Sequence, residues 1–420
     1  MEKKFLLDKI KLIYLFSFLR GLEFFIPIRA LYYQQELFTV FNVTLILAIR
    51  AISTTIFEVP SGAIADLFGR KKTLIVASIA GIIALIFLSI GQSLIFFVLY
   101  AVLIAIADSL VSGTDTAILF DTVKLFGNKT KPVTKKIAVA QSEADLGKKE
   151  APVIPETIKK FPKFKKVIAI NNSMWPIGAS ISSIIGGFLA INSLRTPIIA
   201  TILPFILVLI VALFIYDPPY KKEKHKNIFK HMFSSLKSVI NNRQIIILSS
   251  AGLLFFAFAE VAHQLDPVFY EFKSISVGLF GIIFAATFGL SFVGSYMSNW
   301  VSDKIGNKNT ILITAIIPPF LLFGATLAFG IWSAVLIILS SIFWGLRWPI
   351  TSHLMNIEVS SKQRATVISI GNLSRKLGFA IFAPIFGLFV DNYNINDAFK
   401  LLAVLSFFVS FLILFLKEKD

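Results

Sequence analysis

The sequence predicts an all-α integral membrane protein, with twelve transmembrane helices in two pseudo-symmetric six-helix bundles. Three observations carry that prediction: apolar stretches of spanning length recur about twelve times, cations are confined to alternate connections, and a faint internal repeat relates the two halves. Of 420 residues, 56% are hydrophobic and 15% charged, against about a quarter charged in soluble domains. Most of the surface is therefore suited to lipid. A helix crosses the hydrocarbon in about 20 residues at 1.5 Å rise each.

The expected spans are 12–31, 41–67, 73–90, 94–123, 167–191, 197–216, 245–269, 277–301, 311–329, 334–355, 365–390 and 398–416. The first follows a basic start, as a signal peptide would. Arg20 and Glu23 interrupt it, however, and no small-x-small cleavage site follows, so a retained helix is expected. The second and third are joined by the short basic turn Gly69-Arg70-Lys71-Lys72. The fourth carries Asp108, Asp115 and Asp121; the fifth is Gly-rich around Trp175 and Pro176. The seventh, tenth and eleventh hold enough charge that hydropathy alone could miss them.

The net charge of +17 would suit a nucleic-acid partner, but its distribution excludes one. Lys3, Lys4, Lys9, Lys71, Lys72, the lysines of 124–166 and 221–230, Lys304, Lys308, Lys362, Lys417 and Lys419 all fall in alternate connections or at the ends. That is the positive-inside pattern, and it places both termini in the cytoplasm of a cell-membrane protein with an even number of spans. Arg195 and Lys273 are the exceptions. The absence of cysteine excludes disulfides and thiolate metal sites.

The repeat is visible at near-constant offset. Asn172, Gly178 and Gly187 recur as Asn372, Gly378 and Gly387, 200 residues on, and Asp66 and Gly69 recur as Asp303 and Gly306, 237 residues on, followed by Lys308. The difference assigns extra residues to the first half, and the Lys- and Pro-rich stretch at about 127–166 is the only candidate. It reads as a cytoplasmic insertion of low structural content, a basic loop held to anionic headgroups or an element that binds a partner. The expected domains are therefore 1–216, a linker 217–243 and 244–420. Within the linker, Ile228, Phe229, Met232, Phe233, Leu236, Val239 and Ile240 share one face of an expected interfacial helix over 227–243.

The run from Gly62 through Asp66, Gly69, Arg70 and Lys71 has the form Gly-x-x-x-Asp-x-x-Gly-Arg-Lys-Lys. It resembles the signature between the second and third helices of the major facilitator superfamily, which often has a basic residue where Leu67 stands here. The resemblance implies a secondary transporter whose halves rock about a central site. It implies that spans one, two, four and five, with seven, eight, ten and eleven, line the cavity or its gates. In it, Gly62, Asp66, Gly69, Arg70, Lys71 and Asp121, with Asp303, Gly306 and Lys308 in the second half, form the gating signature. Asp66, Arg70 and Asp121 would make an ion-pair cluster that exists in one state and breaks in the other.

Ionisable side chains inside spans cost roughly 2.5–3.5 kcal/mol each to insert, which makes them candidate functional groups. Here they are Arg20, Glu23 and Arg29, Arg50 and Glu58, Asp108 and Asp115, Glu260, His263 and Asp266, Arg347, and Arg375 beside Lys376. All fall on the spans that the resemblance assigns to the cavity, whereas the third, sixth, ninth and twelfth are nearly free of charge. The bland alternative is static pairing, above all of Arg20 with Glu23, which i, i+3 spacing on a helix would allow. Arg375 and Lys376 project about 100° apart, so at most one is expected to face the cavity centre.

No phosphate-binding loop or metal-ligand spacing is present, so no cofactor is expected, and energy is assigned to a proton or another ion. The fourth span lacks the central Arg of many proton-driven exporters and has Asp108 instead, and the fifth lacks their Gly-Pro step. The first reading is efflux of a lipophilic or amphipathic compound; the second is transport of a small polar or anionic metabolite. A third is a transport-inactive membrane scaffold or sensor. A monomer is expected, and not an enzyme.

Overall fold

The computed structural model describes residues 2–129, 164–218, 243–357 and 364–411, and every regular element among them is helical. Most of the expected insertion and the expected linker helix lie outside the described residues, as do the surroundings of Gly62 and the side chains of Asp66 and Asn372.

The described helices join into twelve antiparallel rods. The second to sixth comprise Val40–Phe68, Arg70–Ile90, the pair Leu94–Val111 and Thr114–Lys129, Phe164–Ala190 and Thr196–Phe214. The seventh to twelfth are Arg243–Phe272, Val277–Ile305, Asn307–Leu327, Ile331–Ile357, Arg364–Asn392 and Ile395–Ser410. Among the described residues, nine helices are long and apolar enough to cross a membrane, the tenth and eleventh spans included.

Two spans expected to be continuous are broken. The first is the helix Glu2–Gly21, a 3-10 turn Ile26–Ile28 and the helix Arg29–Leu37. Pro27 has no N–H to continue the ladder at this bend. Gly21 is required there, because a Cβ would run into the Trp175 carbonyl of the fifth span. The fourth breaks at Ser112–Gly113, where Gly113 takes φ 78°, a conformation that L side chains rarely adopt.

One end of the bundle carries the signature turns, and the other the short loops at 38–39, 91–93, 191–195, 273–276, 328–330 and 393–394. At the signature end, Gly69 with φ 98° joins the second span to the third, and Gly306 with φ 83° joins the eighth to the ninth. The repeat seen in sequence is thus a repeat of backbone geometry. Its glycines repeat contacts too. Gly178 lets the fifth span meet the first, and Gly378 lets the eleventh meet the seventh. Gly187 lies against Gly278 and Gly281 of the eighth span, and Gly387 against Val40 and Thr44 of the second.

These last contacts cross between the halves, and all of them lie near the short-loop end. A single apolar core continues across the halves there, from Phe25, Ile28 and Val40 to Phe280, Val390 and Phe399. Asp391, ending the eleventh span, accepts from the first amides of the second span, Val40 N at 2.7 Å and Phe41 N at 2.8 Å. A carboxylate from one half therefore caps a helix N-terminus of the other, where orphan N–H groups and the helix dipole favour negative charge. Nearby, Arg195 meets Glu36 at 2.7 Å, and hydrogen bonding to this carboxylate raises the guanidinium pKa, so it stays charged.

Removing the Asp391 cap should open the short-loop end. Its loss is worth roughly 1 kcal/mol, about fivefold in the equilibrium. In the cysteine-free chain, a Ser183→Cys probe sits fully buried in the fifth span beside Gly281. Its labelling by an impermeant thiol reagent from the short-loop side should speed up about fivefold on adding Asp391→Ala. An unchanged rate would show that the cap holds nothing shut.

Candidate functional site

The two breaks, in the first and fourth spans, border one cavity of about 440 Å³ in the N-terminal half. Its wall includes Ser17, Arg20 and Glu23 of the first span, Arg50 of the second, and Asp108, Ser112 and Asp115 of the fourth. Asn171, Asn172, Trp175 and Pro176 of the fifth complete it. Gly113 turns the fourth span so that carboxylates from both of its helices reach the same space.

Asp108 is the hub. It accepts from Arg20 Nη2 at 2.6 Å on one oxygen and from Arg50 Nη2 at 3.0 Å on the other, tying three spans together. Toward the short-loop end, Glu23 is 7% exposed and faces Arg29 at 3.7 Å. Tyr33 and Tyr100 are buried beside that layer with ring centroids 6.4 Å apart. Toward the signature end, Ser17 donates to Asn171 Oδ1 at 2.9 Å, and Asn171 Nδ2 donates to Asp115 at 2.9 Å.

The local pairing of Arg20 with Glu23 is therefore corrected. The helix ends at Gly21, so i, i+3 geometry never forms between them. Each finds a separate partner, Asp108 for Arg20 and Arg29 for Glu23.

A second cavity of about 200 Å³ lies in the C-terminal half and includes Glu260, His263, Asp266 and Arg347 in its wall. His263 Nδ1 is 3.1 Å from Asp266, and its ring stacks on Phe284. Glu260 accepts from Gln264 at 2.7 Å. Arg347 donates to the Thr314 backbone carbonyl of the ninth span and stacks over Phe255 of the seventh at 4.7 Å. The surrounding wall is largely apolar, with Phe255, Phe288, Leu322, Ile337 and Trp344.

Four sequence candidates line neither cavity: Arg29, which faces Glu23, and Glu58, Arg375 and Lys376. Glu58 pairs with Lys376 at 2.6 Å, a link between the second and eleventh spans. Arg375 stacks over Trp348 at 4.6 Å and Phe256 at 5.7 Å. The two adjacent cations of the eleventh span thus take different surroundings, as their angular separation requires.

In the signature, Arg70 donates to Asp121 and to the Ala117 carbonyl at 3.0 Å, joining the third span to the fourth. Asp303 is exposed. Sequence reasoning missed Asp217, whose carboxylate accepts from Lys71 N at 3.4 Å beside Gly69. Its signal was an acidic residue directly after the sixth span. Tyr33, Tyr100 and Asn171 were missed as well, because neutral polar residues inside apolar runs carry no charge to attract notice.

The family model described as Major Facilitator Superfamily matches residues 151–361 and 274–420, more than half of the chain. The chain is 24% identical over 408 residues to the protein described as "Uncharacterized MFS-type transporter YxaM" of Bacillus subtilis (strain 168), covering 93% of this chain and 92% of that one. Among solved structures it is similar to a mutant of the nucleoside transporter NupG, with TM-score 0.77 and 14% identity over 97% of this chain and 99% of the other. It is also similar to a D-xylose-proton symporter, with TM-score 0.69 and 13% identity over 97% of each chain. At such identities these structures show a shared fold.

Arg70 and Asp121 are only 13% and 17% exposed, so breaking the pair costs more than an open turn would suggest. Arg70→Ala should destabilise by roughly 2–3 kcal/mol, because it leaves a largely buried carboxylate without its cation. It should also slow exchange between states. Adding Asp121→Ala should recover part of the lost melting temperature without restoring the exchange rate, and full recovery of both would remove the pair from gating.

Proposed function

We propose, for a chain that belongs to the major facilitator superfamily and is a multi-pass membrane transporter rather than an enzyme, that it moves a small polar solute by alternating access. The carrying observation is the N-half cavity, walled by Arg20, Arg50, Asp108, Asp115, Asn171 and Trp175. A lipophilic solute would gain nothing from such a wall and would leave its polar groups unpaired, a cost of about 1–3 kcal/mol for each group stranded. Hydroxyls, amides or charges on a solute replace the water that those groups lose on closure.

The rocking bodies are residues 1–216 and 244–420, joined by 217–243. The cation asymmetry makes the signature end cytoplasmic, in the cell membrane, with both termini on that side. A protein with its short-loop end sealed by the continuous core then presents its solute site to the cytoplasm. Energy comes from an ion gradient, since the sequence has no phosphate-binding loop. The proton is the favoured ion, with Glu260 and the His263–Asp266 pair as carriers, because these groups lie in the membrane interior apart from the polar solute site. The partners are the solute, the ion and the anionic lipid surface.

Efflux of a lipophilic compound is the second reading, favoured by the aromatic wall of the C-half cavity.

Purified protein in sealed vesicles should exchange a labelled polar solute from a panel of sugars, nucleosides, amino acids and organic acids, and should accumulate it when a pH gradient is imposed. Glu260→Gln or Asp266→Asn should abolish accumulation and leave counterflow within about twofold, because a neutral isostere imitates the protonated state. Dye efflux without movement of any polar solute would overturn the solute class. Accumulation with unaltered pH dependence in both variants would move the coupling elsewhere.

A further inference from the structure

The charges of the N-half cavity balance in number but not in place. Arg20 and Arg50 share the single carboxylate of Asp108, and Arg29 is matched by Glu23. This deep layer therefore holds three cations against two anions, an excess of one positive charge. Asp115 supplies the missing negative charge at another level. It lies beyond the Ser112–Gly113 break, on the second helix of the fourth span. There its carboxylate accepts only from the Asn171 amide and from Thr116, among the described residues.

A second, independent observation points the same way. Behind the cavity wall formed by Glu23, Arg29 Nε is buried without a hydrogen-bond partner, and it can only donate. An unsatisfied buried donor beside an excess of positive charge calls for an acceptor, and best for an anionic one. Among the described residues, the other carboxylate of this layer is Glu23, which faces Arg29.

We infer that the solute is a zwitterion, its anionic group held in the deep layer by Arg20 and Arg50 and its cationic group by Asp115. This rests on the N-half cavity being the solute site. The arrangement makes the site dipolar along the direction of transport. A solute carrying only one of the charges leaves one layer uncompensated in a low-dielectric interior. A neutral solute leaves both. Trp175, at the open rim beside Asn172, offers a flat apolar face to the part between the charges.

The test is ligand-induced thermal stabilisation of the full chain. The probes are the amino acids, the ω-amino acids of three to six carbons and the glycyl dipeptides, beside D-xylose, uridine and lipophilic cations. At least one zwitterion should raise the melting temperature, and its N-acetyl and amide derivatives, each lacking one charge, should bind at least tenfold more weakly. Two variants divide the roles. Arg50→Gln keeps a neutral Arg20–Asp108 pair and should weaken the zwitterion and the N-acetyl derivative alike, whereas Asp115→Asn should erase the preference for the zwitterion over the N-acetyl form. Stabilisation by xylose or uridine with none from any zwitterion would overturn the inference and leave the polar-solute reading intact. Stabilisation by lipophilic cations alone would overturn both. No shift from any zwitterion, whatever else binds, also counts against it.

Discussion

Asp108 between Arg20 and Arg50 is the interaction on which the N-terminal half depends. Each of these charges would be costly alone in the membrane interior, and each is tolerable because one carboxylate serves both guanidiniums. The consequence is geometric. Three spans must approach one point, and two of them interrupt their helices close to it, the first after Gly21 and the fourth at Gly113. Backbone that leaves the helical ladder inside a membrane survives only where it is buried in protein or lines a cavity. The ion pairs, the breaks and the cavity are thus one feature.

How much of this was legible follows from how local each signal is. The spans read directly, because apolar length is a property of the chain alone. The repeat read through its glycines, and each matched glycine proved to sit at a matched contact: Gly178 and Gly378 within a half, Gly187 and Gly387 between halves. Pairing inside the cavity did not read. Arg20 and Glu23 look like neighbours only if the helix continues past Gly21, and nothing in composition says that it stops. The Ser112-Gly113 step was a visible sign that the fourth span bends, but one glycine in an apolar run more often marks packing than a break. Asp391 lies 350 residues from the amide of Phe41 that it caps, a relation that exists only once the halves meet.

The ion pairs also explain how the halves can move. Arg20–Asp108, Arg50–Asp108 and Arg29–Glu23 each join residues of the same half. In the proposed alternating access, a rigid-body rotation leaves all three intact, so these electrostatic terms do not enter the balance between states. What crosses the halves is of a different kind. At the short-loop end it is glycine-mediated backbone contact, apolar packing and the Asp391 cap, and farther along the same two spans it is the half-exposed Glu58–Lys376 pair. Such contacts are worth little singly. In the proposed alternating access, halves made rigid by their internal charges and joined by small, replaceable contacts would have two states within a few kcal/mol of each other, roughly the range in which a ligand can shift the population.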